Sequence, residues 1–141
     1  KRELVNAIHK LPADAKMNII TFSDGYHSWK PQIQTLTASV RSSAVDFTKA
    51  MVTSPKTNVF DTLEFALKDK QVDTIYLLSD GEPTAGRLQD VGAIAREIRA
   101  LNRLRAVTIH SIAFGEESPL LKELATQNGG EYRFVDKIEE E

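Results

Sequence analysis

The stretch Ile75-Tyr76-Leu77-Leu78-Ser79-Asp80-Gly81-Glu82-Pro83-Thr84 decides how this chain is read. A short apolar run stops at an aspartate, and a glycine and a proline follow at once. That pattern is a buried strand delivering one carboxylate to a tight turn at the sheet edge. In open α/β sheets the carboxyl ends of strands are where ligands bind, and a carboxylate held there suits a hard cation such as Mg2+. One aspartate does not make a site, so the question is what else converges on it.

The bulk composition narrows the answer. The chain has 141 residues, 41% hydrophobic and 27% charged, with net charge -2. A domain of this size buries roughly 68–70% of its unfolded surface, enough for a real core. The charge balance argues against a general nucleic-acid binder, which carries a basic excess. With no cysteine there is no disulfide, thiolate zinc site or cysteine nucleophile. No apolar run approaches the ~20 residues of a membrane span.

Outward from the opening stretch, strands and helices alternate. Leu4, Ile8 and Leu11 share one helical face, so residues 1–10 read as a helix ended by Pro12. Lys1 and Arg2 place positive charge at the positive end of its dipole, with no capping residue, as in a helix cut part-way along. Met17–Ser23 reads as a strand closed by Asp24-Gly25, and Tyr26–Trp29 as a short returning edge strand. Residues 38–52 form a second helix, and Thr53–Lys56 a loop. Asn58 caps a third helix with Asp61 in its first turn. Thr74–Ser79 is a strand, 88–102 a helix, Val107–Phe114 a strand, Pro119–Gln127 a helix and Tyr132–Val135 the last strand, followed by an acidic tail. This alternation is the mark of an α/β domain in three layers, α-β-α, with a Rossmann-like, mostly parallel sheet and one antiparallel edge strand.

In this order the motifs resemble those of the von Willebrand factor type A domain. Phe22-Ser23-Asp24 resembles that family's second-strand ending. Thr57-Asn58-Val59-Phe60-Asp61-Thr62-Leu63 resembles the loop-to-helix segment that supplies a metal-binding threonine. Leu77-Leu78-Ser79-Asp80-Gly81-Glu82-Pro83 resembles the fourth-strand ending with the metal-site aspartate. Ile109–Gly115 and Leu124–Tyr132 resemble the last two strands and the helix between them.

The resemblance implies a metal-ion-dependent adhesion site for Mg2+ or Mn2+. Thr57 and Asp80 match two of its elements. The third, an Asp-x-Ser-x-Ser run after the first strand, is not in this sequence: Ser23, Ser28, Ser42 and Ser43 stand in no such run. The family places that strand just before the helix that starts here at Lys1. The expectation is therefore one von Willebrand factor type A-like domain over residues 1–141, truncated at its N-terminus. Without the strand a ~4.8 Å slot opens between the Ile19 and Ile75 strands. Either these close up, another copy fills the gap, or the chain does not fold alone. Two ligands fall short of the near-octahedral shell of about six oxygens that Mg2+ requires, so metal binding by this chain is expected to be weak or absent.

Each singled-out residue has a simpler reading beside it. Asp80 before Gly81 can be a turn former, and Thr57 a helix-boundary hydroxyl. Asp24 reads as a strand ending rather than a ligand, and Glu82 as an exposed turn residue. Arg87, Arg96, Arg99, Arg103 and Arg105 read as mostly solvated, several near a helix C-terminus. His110 reads as a hydrogen-bonded core histidine. Trp29 is either an exposed contact or a lid on the core.

Three functional readings follow. The first is a non-enzymatic binding module in which the resemblance implies a divalent cation capturing a carboxylate of a partner protein. Partner contacts would come from loops 24–31, 53–57 and 82–88. The second is a metal-dependent hydrolase or phosphotransfer domain, with only Asp24 and Asp80 as candidate carboxylates. It has neither a Gly-x-Ser-x-Gly elbow nor a Gly-x-x-x-x-Gly-Lys loop. The third is a structural assembly domain with a degenerate site. The family occurs outside and inside cells, and the resemblance leans toward an extracytoplasmic or cell-surface setting.

Overall fold

The computed structural model describes residues 1–52 and 55–136. In chain order the elements are α1 (Arg2–Lys10), β1 (Lys16–Met17), β2 (Ile20–Phe22), β3 (Tyr26–Ser28), β4 (Gln34–Thr35), α2 (Ala38–Lys49), α3 (Val59–Lys68), β5 (Thr74–Ser79), α4 (Val91–Asn102), β6 (Thr108–Phe114), α5 (Pro119–Gln127) and β7 (Tyr132–Val135). The expected three-layer α/β pattern is present, and the strand Thr74–Ser79, the helix Pro119–Gln127 and the strand Tyr132–Val135 have the bounds read from sequence.

β5, β6 and β7 form a parallel sheet in that order, with Leu77 opposite Ser111 and Ala113 opposite Phe134. Alternation decides which face is inward. Leu77, Ile109, Ser111 and Ala113 are buried, and Leu77, Ile109 and Ala113 share a core with Val59, Leu63, Ile94, Ile98, Leu120 and Leu124 from α3, α4 and α5. A second core joins Ile8 of α1 and Ala44 and Val45 of α2 to Ile19. Trp29 and Phe47 pack against this second core, which assigns Trp29 as a lid. Gly130 has no room for a side chain: an added Cβ would lie 1.8 Å from the Ile109 carbonyl oxygen.

Several sequence expectations are corrected. The strand Met17–Ser23 is split. β1 pairs antiparallel with β4, which the sequence reading missed, and β2 pairs antiparallel with β3. Asn18 sits at the break, and its carboxamide takes over the bonding there. It donates to Ser28 Oγ at 3.0 Å and to the Lys30 carbonyl at 2.8 Å, and accepts from Lys30 N at 3.1 Å. The helix expected over 38–52 stops at Lys49. The helix expected from 88 starts at Val91, because Asp90 caps it by accepting from Ala93 N at 2.9 Å. In its last turn Leu101 is exposed and Asn102 is buried.

Among the described residues no ladder joins the Ile19 and Ile75 strands. Among the described residues β2 is laddered only to β3, and β5 only to β6. The two have not closed up, although Phe22 still packs against the larger core. Thr53, Ser54 and the acidic tail from residue 137 lie outside the described residues.

Candidate functional site

Three connections meet at the carboxyl end of β5: the β2–β3 turn, the segment entering α3, and the loop from β5 to α4. The β5 turn is closed by Ser79, whose buried hydroxyl donates to the Gly81 carbonyl at 3.0 Å and accepts from Gly81 N at 3.3 Å. That hydroxyl is committed to the turn. Asp80, one residue on, is exposed, and among the described residues its carboxylate makes no hydrogen bond or ion pair.

Thr57 lies across from this turn. Its backbone is held by Thr84: Thr57 N donates to Thr84 Oγ1 at 2.9 Å, and the Thr57 carbonyl accepts from Thr84 N at 2.9 Å and Ala85 N at 3.3 Å. Its hydroxyl is different. Thr57 is only 7% exposed, yet among the described residues Oγ1 has no hydrogen-bond partner. That oxygen would lie 3.8 Å from a Cβ placed on Gly81, so it faces the residue next to Asp80. An unbonded buried hydroxyl is costly and uncommon. The structure thus brings Thr57 and the Asp80–Gly81 turn to one place.

Asp24 behaves as the strand ending it was expected to be. Its Oδ1 accepts from Gly25 N at 3.1 Å and from Ser23 Oγ at 3.2 Å. Glu82 is exposed, as expected. Among the described residues no three of His, Cys, Asp or Glu gather at a possible metal site. Asp80 and Thr57 offer hard oxygens of the type Mg2+ prefers, but not a full shell.

The second tier around Thr57 was not read from the sequence. Asn58 caps α3 as expected, accepting from Asp61 N at 3.1 Å. Its amide also donates to Asp61 Oδ2 at 3.0 Å and to the Asp24 carbonyl at 3.0 Å. Arg87 reaches Asp61 through Nε at 3.2 Å and Glu64 through Nη2 at 2.7 Å, and its guanidinium lies 5.1 Å from the centre of the Phe60 ring. Burial opposes ionisation of Asp61, but hydrogen bonds from Asn58 and Arg87, with the Arg87 charge, outweigh it. They hold the carboxyl below its ordinary value of 3.8. The short Asn58–Asp61 spacing was a legible signal. Nothing in the sequence marked Thr84.

Two other expectations shift. Arg105 is not a solvated arginine: it donates to the carbonyls of Leu67, Asp69 and Val72, closing the C-terminal end of α3. Arg87, Arg96, Arg99 and Arg103 are exposed. His110 is not a core histidine. It is half-buried on the sheet's other face, stacked on the exposed Tyr76 ring at 4.8 Å, and its Nδ1 accepts from Glu131 N at 3.0 Å, so the expected hydrogen bond is present. Among the described residues no helix is long and apolar enough to cross a membrane.

Known proteins are similar to this chain in sequence and in fold. "von Willebrand factor A domain-containing protein 3B" of Homo sapiens is 26% identical over 129 residues, covering 89% of this chain and 9% of that protein. "Inter alpha-trypsin inhibitor, heavy chain 4" of Mus musculus is 26% identical over 143 residues, covering 92% of this chain and 15% of that protein. The chain therefore spans a small fraction of the relatives it matches. Among solved structures, a von Willebrand factor type A protein from Catenulispora acidiphila superposes with a TM-score of 0.80 at 17% identity, over 94% of this chain and 32% of that one. Proximal thread matrix protein 1 from the mussel byssus gives 0.71 at 14% identity, over 97% of this chain and 36% of that one. The sequence pattern that defines the von Willebrand factor type A domain matches residues 1–134, and the chain belongs to that family.

Proposed function

We propose that this domain is a protein-interaction module whose binding edge is the Thr57–Asp80 corner, where a divalent cation and an acidic group of a partner protein would meet. Family membership supports the interaction role. The observation that carries the metal reading is the buried Thr57 hydroxyl, unbonded among the described residues and facing the turn that presents the Asp80 carboxylate. Mg2+ or Mn2+ bound there would offer an open coordination position to an anionic oxygen. Thr57 would supply a neutral oxygen and Asp80 a charged one. With two protein ligands, affinity in this chain is expected to be weak. The module catalyses nothing in this reading. An extracytoplasmic setting is part of the proposal and rests on the family.

Mn2+ titration followed by paramagnetic broadening of amide resonances tests it. Millimolar Mn2+ is expected to broaden Gly81, Glu82 and Asn58 first, with the effect lost in Asp80→Asn. Broadening spread evenly over the acidic surface would overturn the metal reading and favour a metal-independent assembly role. Calorimetry with Mg2+ is expected to show no micromolar binding.

A further inference from the structure

Asn58 does more than a helix cap requires. A cap needs one side-chain oxygen, and Oδ1 serves by accepting from Asp61 N at 3.1 Å. The amide nitrogen has its own tasks, donating to the Asp24 carbonyl and to Asp61 Oδ2, each at 3.0 Å. The chemistry fixes the amide's orientation: two acceptors face the nitrogen and one N–H faces the oxygen, so the flipped amide would lose all three bonds. Gly86 closes the remaining side. Its φ is +100°, and a Cβ there would come 2.2 Å from Asn58 Oδ1. Asp61, held by Asn58, accepts in turn from Arg87 N at 3.3 Å. The β2–β3 turn, the start of α3 and the β5–α4 loop therefore all meet on one side chain that is 2% exposed.

We propose that Asn58 is the positioning residue of this edge. Its carboxamide locks the three loops in one arrangement, and so sets the hydroxyl of Thr57, its chain neighbour, against the Asp80–Gly81 turn. The proposal deepens the reading above and rests on it only for what the locked edge is used for.

Asn58→Ser and Asn58→Asp both keep an oxygen for the cap, which separates capping from locking. Serine is too short to hold Asp24. Aspartate has the shape of asparagine but turns an acceptor toward the Asp24 carbonyl and the Asp61 carboxylate. Amide hydrogen exchange of the full chain, without metal, is the measurement. Exchange at Ser23, Gly25, Thr84, Ala85 and Arg87 is expected to rise about threefold or more in Asn58→Ser and about tenfold or more in Asn58→Asp, with β6 amides within about twofold of the parent. Equal loop exchange in all three proteins means that Asn58 is only a cap, and overturns the proposal. If Asn58→Asp loses β6 protection as well, Asn58→Ser decides by the same criterion. Mn2+ broadening that is not localised in the parent, together with the expected exchange pattern, overturns the metal reading and upholds the lock.

Discussion

Thr57 and Thr84 hold each other in both directions: Thr57 N donates to Thr84 Oγ1 at 2.9 Å, and Thr84 N donates to the Thr57 carbonyl at 2.9 Å. The pair joins the segment entering α3 to the loop leaving β5. It fixes the Thr57 backbone while leaving the Thr57 side chain unbonded among the described residues. Position and availability are thus supplied by different atoms of one residue.

Thr84→Val removes the acceptor and leaves the Thr57 amide unpaired in a partly buried place. A loss of about 1–2 kcal/mol in urea unfolding is expected. Thr84→Ser keeps the oxygen and is expected to stay within about 0.5 kcal/mol of the parent. Equal losses in both variants would show that the methyl group, not the hydrogen bond, holds the loop.

Thr57→Val should separate stability from function. Valine matches threonine in shape and replaces a hydroxyl that satisfies nothing among the described residues, so unfolding free energy is expected to be unchanged or slightly raised. Localised Mn2+ broadening should vanish in the same protein. A clear loss of stability would mean that the hydroxyl has a structural partner such as an ordered water.

Asp61 should give this edge a one-sided pH dependence. Burial works against its charge, but the hydrogen bonds from Asn58 and Arg87 prevail and lower its pKa. A lowered folded-state value means its contribution is present above the ordinary carboxylate value of 3.8 and is lost as pH falls below that toward the folded value. Denaturation midpoints of the parent and Asp61→Asn should therefore converge as pH drops from 5 to below 3. A constant gap across that range would assign the effect to packing.

The open edge of β5 should be visible in solution. In a parallel ladder alternate amides point to opposite neighbours, and among the described residues β5 has a neighbour on one side only. Exchange along Thr74–Ser79 is expected to alternate between slow and fast residues. Unpaired edges also recruit strands from other chains, so light scattering should show association rising with concentration. Uniform protection in a strictly monomeric sample would mean that β2 and β5 have closed together.

Much of the architecture was legible because it is written locally. The apolar run of β5, the Asn58 cap, Pro119 at the start of α5 and Asn128-Gly129 after it are signals within one or two turns of chain. The misread places are those where a distant side chain replaces a local bond. Asn18 breaks a continuous strand by bonding Ser28 and Lys30, and Arg105, read as solvated, closes a helix some 33 to 38 residues away.

The alternation of strands and helices, the family resemblance, and the pairing of Thr57 with Asp80 as candidates are all readable along the chain, since motif order and residue chemistry need no folded partner. The packing of remote segments is what makes the Thr57 hydroxyl buried and unbonded among the described residues, sets Thr84 and Asn58 to hold the surrounding loops, and leaves β2 and β5 without a ladder to each other among the described residues. Each of these depends on which backbone groups find partners across tens of residues, and hydrogen-bond satisfaction between remote segments leaves no local trace in the chain.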